Sequence, residues 1–194
     1  MWRAALLAVV LAGGSALWWG TDGGRAFTAE AARRLAIATS PRLLPEVTLS
    51  DQHGAEVRLA DYRGAPLVIE FVYATCADLC TALGNAFERL DATAPAAVRL
   101  LSVSFDPADD TERLGWFADR HGAEAPRWRV AGVPDPAMRK GLLARADVVV
   151  IPDGLGGFVH NAGLYLVDAG GRLVRVFDPE DTGGVLTALG TLDR

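Results

Sequence analysis

The segment PLVIEFVY, residues 66–73, constrains this chain more than any other. Apart from Glu70 its residues are apolar or aromatic, with β-branched Val68, Ile69 and Val72. A run this short and evenly apolar predicts a strand covered on both faces, at the centre of a sheet. The rest of the chain must then supply helices to cover that sheet. ATCADLC (74–80) follows at once and holds the only two cysteines, Cys76 and Cys80.

Around this strand the elements alternate. A helix is expected from about Asp78 to Leu90, and VRLLSVSF (98–105) predicts a second buried strand. A helix from about Thr111 to Arg120 stops at His121-Gly122, and another lies near Ala137–Ala144 before the strand VVVI (148–151). LYLVD (164–168) and LVRVF (173–177) flank Ala169-Gly170-Gly171 as a hairpin, and a last helix covers about 183–192. Upstream, VTLS (47–50) and EVRLA (56–60) alternate apolar and polar residues around the turn Asp51-Gln52-His53-Gly54, an N-terminal β-hairpin. The order implies an α/β protein of thioredoxin-like fold, with a central mixed sheet flanked by helices.

The 194 residues fit one domain plus appendages. The formal charge of −5, with Lys and Arg scattered, excludes a nucleic-acid partner. Ala4 to Thr21 carry no charge, Arg3 stands just ahead, and Trp18 and Trp19 close the run. Its length approaches the ~20 residues of a membrane-crossing helix, and indole rings favour the interface. The expected division is a membrane anchor over 1–21, a linker over 22–44 and a globular domain over 45–194. The linker carries a short helix begun at Thr28 and ended by Ser40-Pro41. A cleaved signal peptide, with Gly14-Ser15-Ala16 as the small-residue site, is the alternative. Either reading exports the domain, where two thiols tend to oxidise unless a reductant or a metal holds them.

Cys76 stands past the end of the central strand, close to a helix start, where α/β sheets place their chemistry and helix dipoles favour a thiolate. Cys-x-x-x-Cys puts both residues on one helix face, with Cβ atoms about 5–6 Å apart. That geometry suits two thiolates on one metal and, with distortion, a disulfide. Two idle buried cysteines are the bland alternative. Among the histidines, His53 falls in a turn and His121 at a helix end, both structural or solvated. His160, in a loop entering LYLVD beside the central strand, is the candidate third ligand. Two thiolates and an imidazole favour copper, as Cu(I) or Cu(II), over zinc, which prefers four protein ligands.

PEVTLSDQHGAEVRLADYRGAPLVIEFVYATCADLC, SVSFDPADDT and FVHNAGLYLVDAGGRLV resemble the three signature blocks of the Sco/SenC family, from about Pro45 onward. These are membrane-anchored, thioredoxin-like copper proteins that help assemble the copper centre of cytochrome c oxidase. The resemblance implies metal ligands at Cys76, Cys80 and His160, and acidic family positions at Asp78 and Asp106. It also implies a bacterial inner-membrane protein with its domain in the periplasm. Its partners would be the copper-bearing oxidase subunit, or another exported acceptor, and a copper donor chaperone. Ala77 and Thr81 stand where the family usually has proline, leaving a more adaptable loop, and Val159 where it has aspartate.

The leading expectation is thus a copper metallochaperone, not an enzyme in the strict sense. A thiol-disulfide oxidoreductase using Cys76 and Cys80 is the alternative, weakened because Ala162 occupies the place of the cis-proline in such enzymes. A peroxidase is weaker still, with no arginine evident near Cys76, and a redox or copper sensor is a further reading. Capping accounts for Asp109 or Asp110.

Overall fold

A computed structural model describes residues 2–76 and 79–192. The chain forms two compact units, residues 1–40 and 41–194. In the first, α1 (Trp2–Gly20) is followed by α2 (Ala29–Thr39). The Thr28 hydroxyl accepts from the Ala31 amide at 3.0 Å, the cap its sequence predicted. Glu30 binds Arg33 and Arg34 from the first turn of α2, and Arg33 above all holds its carboxyl below the usual range. Val9, Val10 and Leu11 of α1 are exposed. Among the described residues no helix is long and apolar enough to cross a membrane, so the anchor expected over 1–21 rests on sequence alone.

The second unit opens with β1 (Arg42–Leu43), β2 (Thr48–Asp51) and β3 (Glu56–Arg58), then β4 (Leu67–Val72), α3 (Leu79–Thr93), β5 (Arg99–Ser104) and α4 (Thr111–His121). It continues through β6 (Trp128–Gly132), α5 (Pro136–Arg145), β7 (Val150–Pro152), β8 (Phe158–His160), β9 (Leu164–Val167), β10 (Arg172–Phe177) and α6 (Thr182–Leu192). Eight strands make one mixed sheet in the order β1-β10-β9-β4-β5-β6-β2-β3. Only β4, β5 and β6 run parallel, and β9 returns antiparallel to β4 with Ile69 opposite Tyr165. The expected mixed sheet is present, and β4 is its centre.

All six residues of β4 are buried, as an apolar run covered on both faces requires. Phe71 packs edge-on against Tyr165, ring centroids 5.0 Å apart. Trp128, fully buried on β6, meets Phe87 of α3 at 5.6 Å. Burying each such side chain contributes about 1.5–3 kcal/mol. Glu70 is the exception in this core. It is fully buried, accepts from the Ser102 hydroxyl, and burial pushes its carboxyl up to about 8. The Trp128 indole in turn donates to Ser102 at 2.9 Å.

The structure departs from the sequence expectations at several places. β1, β6 and β8 were not expected: the first and last are two and three residues long, and Trp-Arg-Val-Ala-Gly of β6 has too few β-branched residues to stand out. α3 continues three residues past Leu90, and its expected start at Asp78 lies outside the described residues. VVVI contributes to β7, which pairs only with β8 in a separate two-stranded sheet. The expected β2–β3 hairpin is present, and it forms the edge of the main sheet through β6.

Candidate functional site

The carboxyl end of β4 delivers Tyr73, Ala74, Thr75 and Cys76 in a tight turn, closed by the Cys76 amide donating to the Tyr73 carbonyl at 3.2 Å. α3 then carries Cys80 into the core. The Cys80 amide donates to Cys76 Sγ at 3.2 Å, so the first sulfur occupies the anion-favouring end of the helix. Cys76 is half-buried and Cys80 fully buried. Contact with the Cys76 thiol, and then burial, push the Cys80 thiol far up, with the Glu70 carboxyl adding to the effect. The pair is therefore asymmetric: Cys76 is only half-buried, while Cys80 is buried and held as a thiol.

Asp109 fixes this turn to the sheet. Its Oδ2 accepts from the Ala74 amide at 2.7 Å and from the Ser104 hydroxyl at the end of β5. Burial, first among several influences, raises its pKa. The sequence had assigned capping to Asp109 or Asp110, and the structure separates them. Asp110 is the cap of α4, accepting from the Arg113 amide at 3.0 Å, while Asp109 grips the cysteine loop. Asp106 accepts from the Ala108 amide within its own turn. Asp78 and Ala77 lie outside the described residues.

His160 ends β8 rather than lying in a loop, and its imidazole is buried against Phe105 at 4.9 Å and Tyr73 at 6.3 Å. Neither ring nitrogen has a hydrogen-bond partner of normal geometry; burial lowers its pKa, and a contact with the Asn161 backbone opposes this more weakly. A buried imidazole whose nitrogens lack a hydrogen bond of normal geometry fits a metal ligand. Asn161, next in the chain, secures the base of the β7–β8 hairpin by accepting from the Val149 amide at 2.7 Å and donating to the Asp147 carbonyl at 2.9 Å. The Tyr73 hydroxyl joins hairpin to cysteines. It bridges both backbone groups of Phe158 at 3.4 Å and lies against Cys76, and burial raises its pKa.

The structure thus brings Cys76 and Cys80 together and places His160 on the other side of the Tyr73 contact chain. Among the described residues no three His, Cys, Asp or Glu side chains converge as a ready metal group. His53 is exposed at its turn, as expected. His121 is structural: its Nδ1 lies 2.7 Å from Glu88 Oε1, and its ring fills the space over Gly84. The arginines near Cys76, not evident in the sequence, come from α4. Arg113 and Arg120 line a groove with Cys76.

The SCO1/SenC family model matches residues 37–189, most of the chain. The chain belongs to the SCO1/SenC family. No curated protein matches it significantly. Among solved structures it is similar to a SCO1/SenC family lipoprotein from Bacillus anthracis, at 19% identity and TM-score 0.73 over 80% of this chain and 98% of that one. It is also similar to Bradyrhizobium japonicum ScoI with copper bound, at 24% identity and TM-score 0.57 over 76% and 99%. A third is BsSco, a Sco-family cytochrome c oxidase assembly protein in which a disulfide switch was identified, at 17% identity and TM-score 0.67 over 79% and 94%. At these identities the likeness to the solved structures shows the shared α/β fold. Membership of the SCO1/SenC family rests on the family match.

Proposed function

We propose that this SCO1/SenC protein is a metallochaperone that carries copper as cargo between Cys76, Cys80 and His160. The observation that carries this reading is His160, buried with both ring nitrogens unpartnered beside a chain of contacts leading to Cys76. Such a group is costly in an apo protein and is satisfied when it binds an ion. Two thiolates with an imidazole suit copper in either oxidation state. Because β7 and β8 form their own small sheet, the hairpin can bring His160 onto the sulfurs without breaking the main sheet.

The acceptor in this proposal is the copper centre of cytochrome c oxidase, in keeping with the assembly role given for BsSco. The uncharged run from Ala4 to Thr21 serves as the tether, with the domain outside the cytoplasm. The similar SCO1/SenC family protein from Bacillus anthracis is a lipoprotein.

The reduced protein is titrated with Cu(I) and Cu(II), and stoichiometry and charge-transfer spectra are compared for wild type, Cys76→Ser and His160→Ala. One copper per chain, lost with Cys76→Ser and weakened with altered spectra in His160→Ala, supports the proposal. Binding indifferent to His160 overturns the three-ligand site. A second reading is favoured by the contact between the two cysteines: the pair maintains the acceptor's thiols by exchange, Cys76 attacking and Cys80 resolving. Stoichiometric reduction of a disulfide-bearing acceptor peptide by copper-free protein tests it.

A further inference from the structure

Cys80 is fully buried, so a partner meets the thiol pair from the side of Cys76. On that side lies a groove of about 440 Å³ lined by Ala74, Thr75, Cys76, Arg113, Trp116 and Arg120. The last three are spaced i, i+3 and i+7 along α4 and therefore share one helix face.

Each is held ready. Trp116 is 51% exposed, with the Arg120 guanidinium 5.3 Å from its ring centroid. Arg120 also donates to the Thr81 hydroxyl at 3.3 Å, which ties α4 to the helix carrying Cys80. Arg113 donates to the Ala108 carbonyl at 2.9 Å. Both guanidiniums are thus oriented by neutral oxygens. The field of Arg113 reaches Asp109, but that carboxylate is engaged by Ala74 and Ser104. Among the described residues no carboxylate lines the groove, and two positive charges stand there beside Cys76 in a chain of net charge −5.

We propose that this groove is the docking surface for an acidic segment of the acceptor protein. The inference rests on Cys76 being the residue through which the acceptor is met. Carboxylates of the segment would pair with Arg113 and Arg120, and an apolar side chain between them would lie on Trp116. Tryptophan and arginine are the side chains that dominate binding hot spots, and guanidinium forks suit carboxylates. Two arginines offer too short a positive track for nucleic acid.

The test uses the reduced, copper-free full chain and two synthetic peptides of identical length. One is glutamate-rich and the other lysine-rich, each with a single central cysteine activated as a 2-pyridyl disulfide. The Cys76 thiolate attacks the peptide sulfur, the activated S–S bond breaks, pyridine-2-thione leaves and a mixed disulfide forms. The rate of thione release is the readout. The glutamate peptide is expected to react at least tenfold faster at low ionic strength, as steering into a charged cleft gives. That preference should collapse toward unity at about 0.5 M salt, where charges are screened. In the charge-reversed variant Arg113→Glu/Arg120→Glu it should invert, a gain that a misfolded protein does not produce. Equal rates for both peptides in wild type, or a preference that survives charge reversal, overturns the proposal. So does concentration-dependent self-association that shuts out both peptides, which would put a second copy in the groove. No copper is present, so peptide selectivity and wild-type copper binding succeed or fail separately.

Discussion

The carboxylate of Asp109 accepts from the backbone amide of Ala74, two residues before the half-buried Cys76. This bond joins the end of the central strand to the turn entering α4, and it sets where the first sulfur stands. Asp109→Ala is expected to lower stability by roughly 1–2 kcal/mol, since it strands the Ala74 amide and the Ser104 hydroxyl. It should also weaken copper binding by about tenfold, as loss of a ligand-supporting partner does. Competition against a Cu(I) chelator and denaturant unfolding measure the two effects. Unchanged affinity with lowered stability would make Asp109 a purely structural residue.

His160 should show a trade between apo stability and metal binding. Its ring is buried with both nitrogens unpartnered. His160→Leu, close in volume and apolar, is expected to stabilise the metal-free protein by about 1–2 kcal/mol by removing buried unsatisfied groups. The same change should abolish the imidazole-dependent part of copper affinity. Thermal melts with and without copper test both parts, and a less stable apo variant would refute the first.

Glu70 makes stability depend on pH. Burial raises its pKa from an ordinary 4.5 to about 8 in the folded state. Between those values the folded protein holds a proton that the unfolded chain has released, so stability falls as pH rises from about 4.5 to 8. The difference corresponds to roughly 4–5 kcal/mol across that window at most. Glu70→Gln keeps the shape and the acceptor for Ser102 and should flatten this dependence, making the variant the more stable protein at pH 8. Urea titrations at pH 5 and pH 8 measure it, and parallel curves for variant and wild type would count against it.

Gly84 leaves room for the His121 ring, which would overlap a Cβ placed there. Gly84 is one turn beyond Cys80 on α3, so crowding there bears on the cysteine helix as well. Gly84→Ala is expected to cost about 1–3 kcal/mol by overpacking, despite alanine's better helix propensity. A chemical melt reads the loss. A stabilised variant would mean that His121 moves aside freely.

Much of the architecture was legible because its signals are local and strong. PLVIEFVY could only be a covered strand, Thr28 and Gly122 mark helix ends by their own chemistry, and the Cys76–Cys80 spacing already implied contact. What stayed hidden depends on neighbours distant in sequence. β8 is three residues long and exists through its pairing with β7, so His160 read as part of a loop. Asp109 looked like a cap because its true partner, Ala74, lies 35 positions away. No arginine was evident near Cys76 in the sequence, and only the fold brings Arg113, Trp116 and Arg120 of α4 to it. Their i, i+3, i+7 spacing was the available signal.

The two-stranded sheet of β7 and β8 has a further implication for the rate at which cargo can leave. A site built wholly from β4 and α3 would hold its ion as rigidly as the core holds its side chains. In the proposed site two donors would come from the end of β4 and from α3, and the third from a hairpin with its own pairing. Withdrawing that hairpin would lower the coordination number by one and leave the central sheet intact. Thermodynamic tightness and kinetic lability can then be set by different parts of the molecule, the sulfurs governing the first and the hairpin the second.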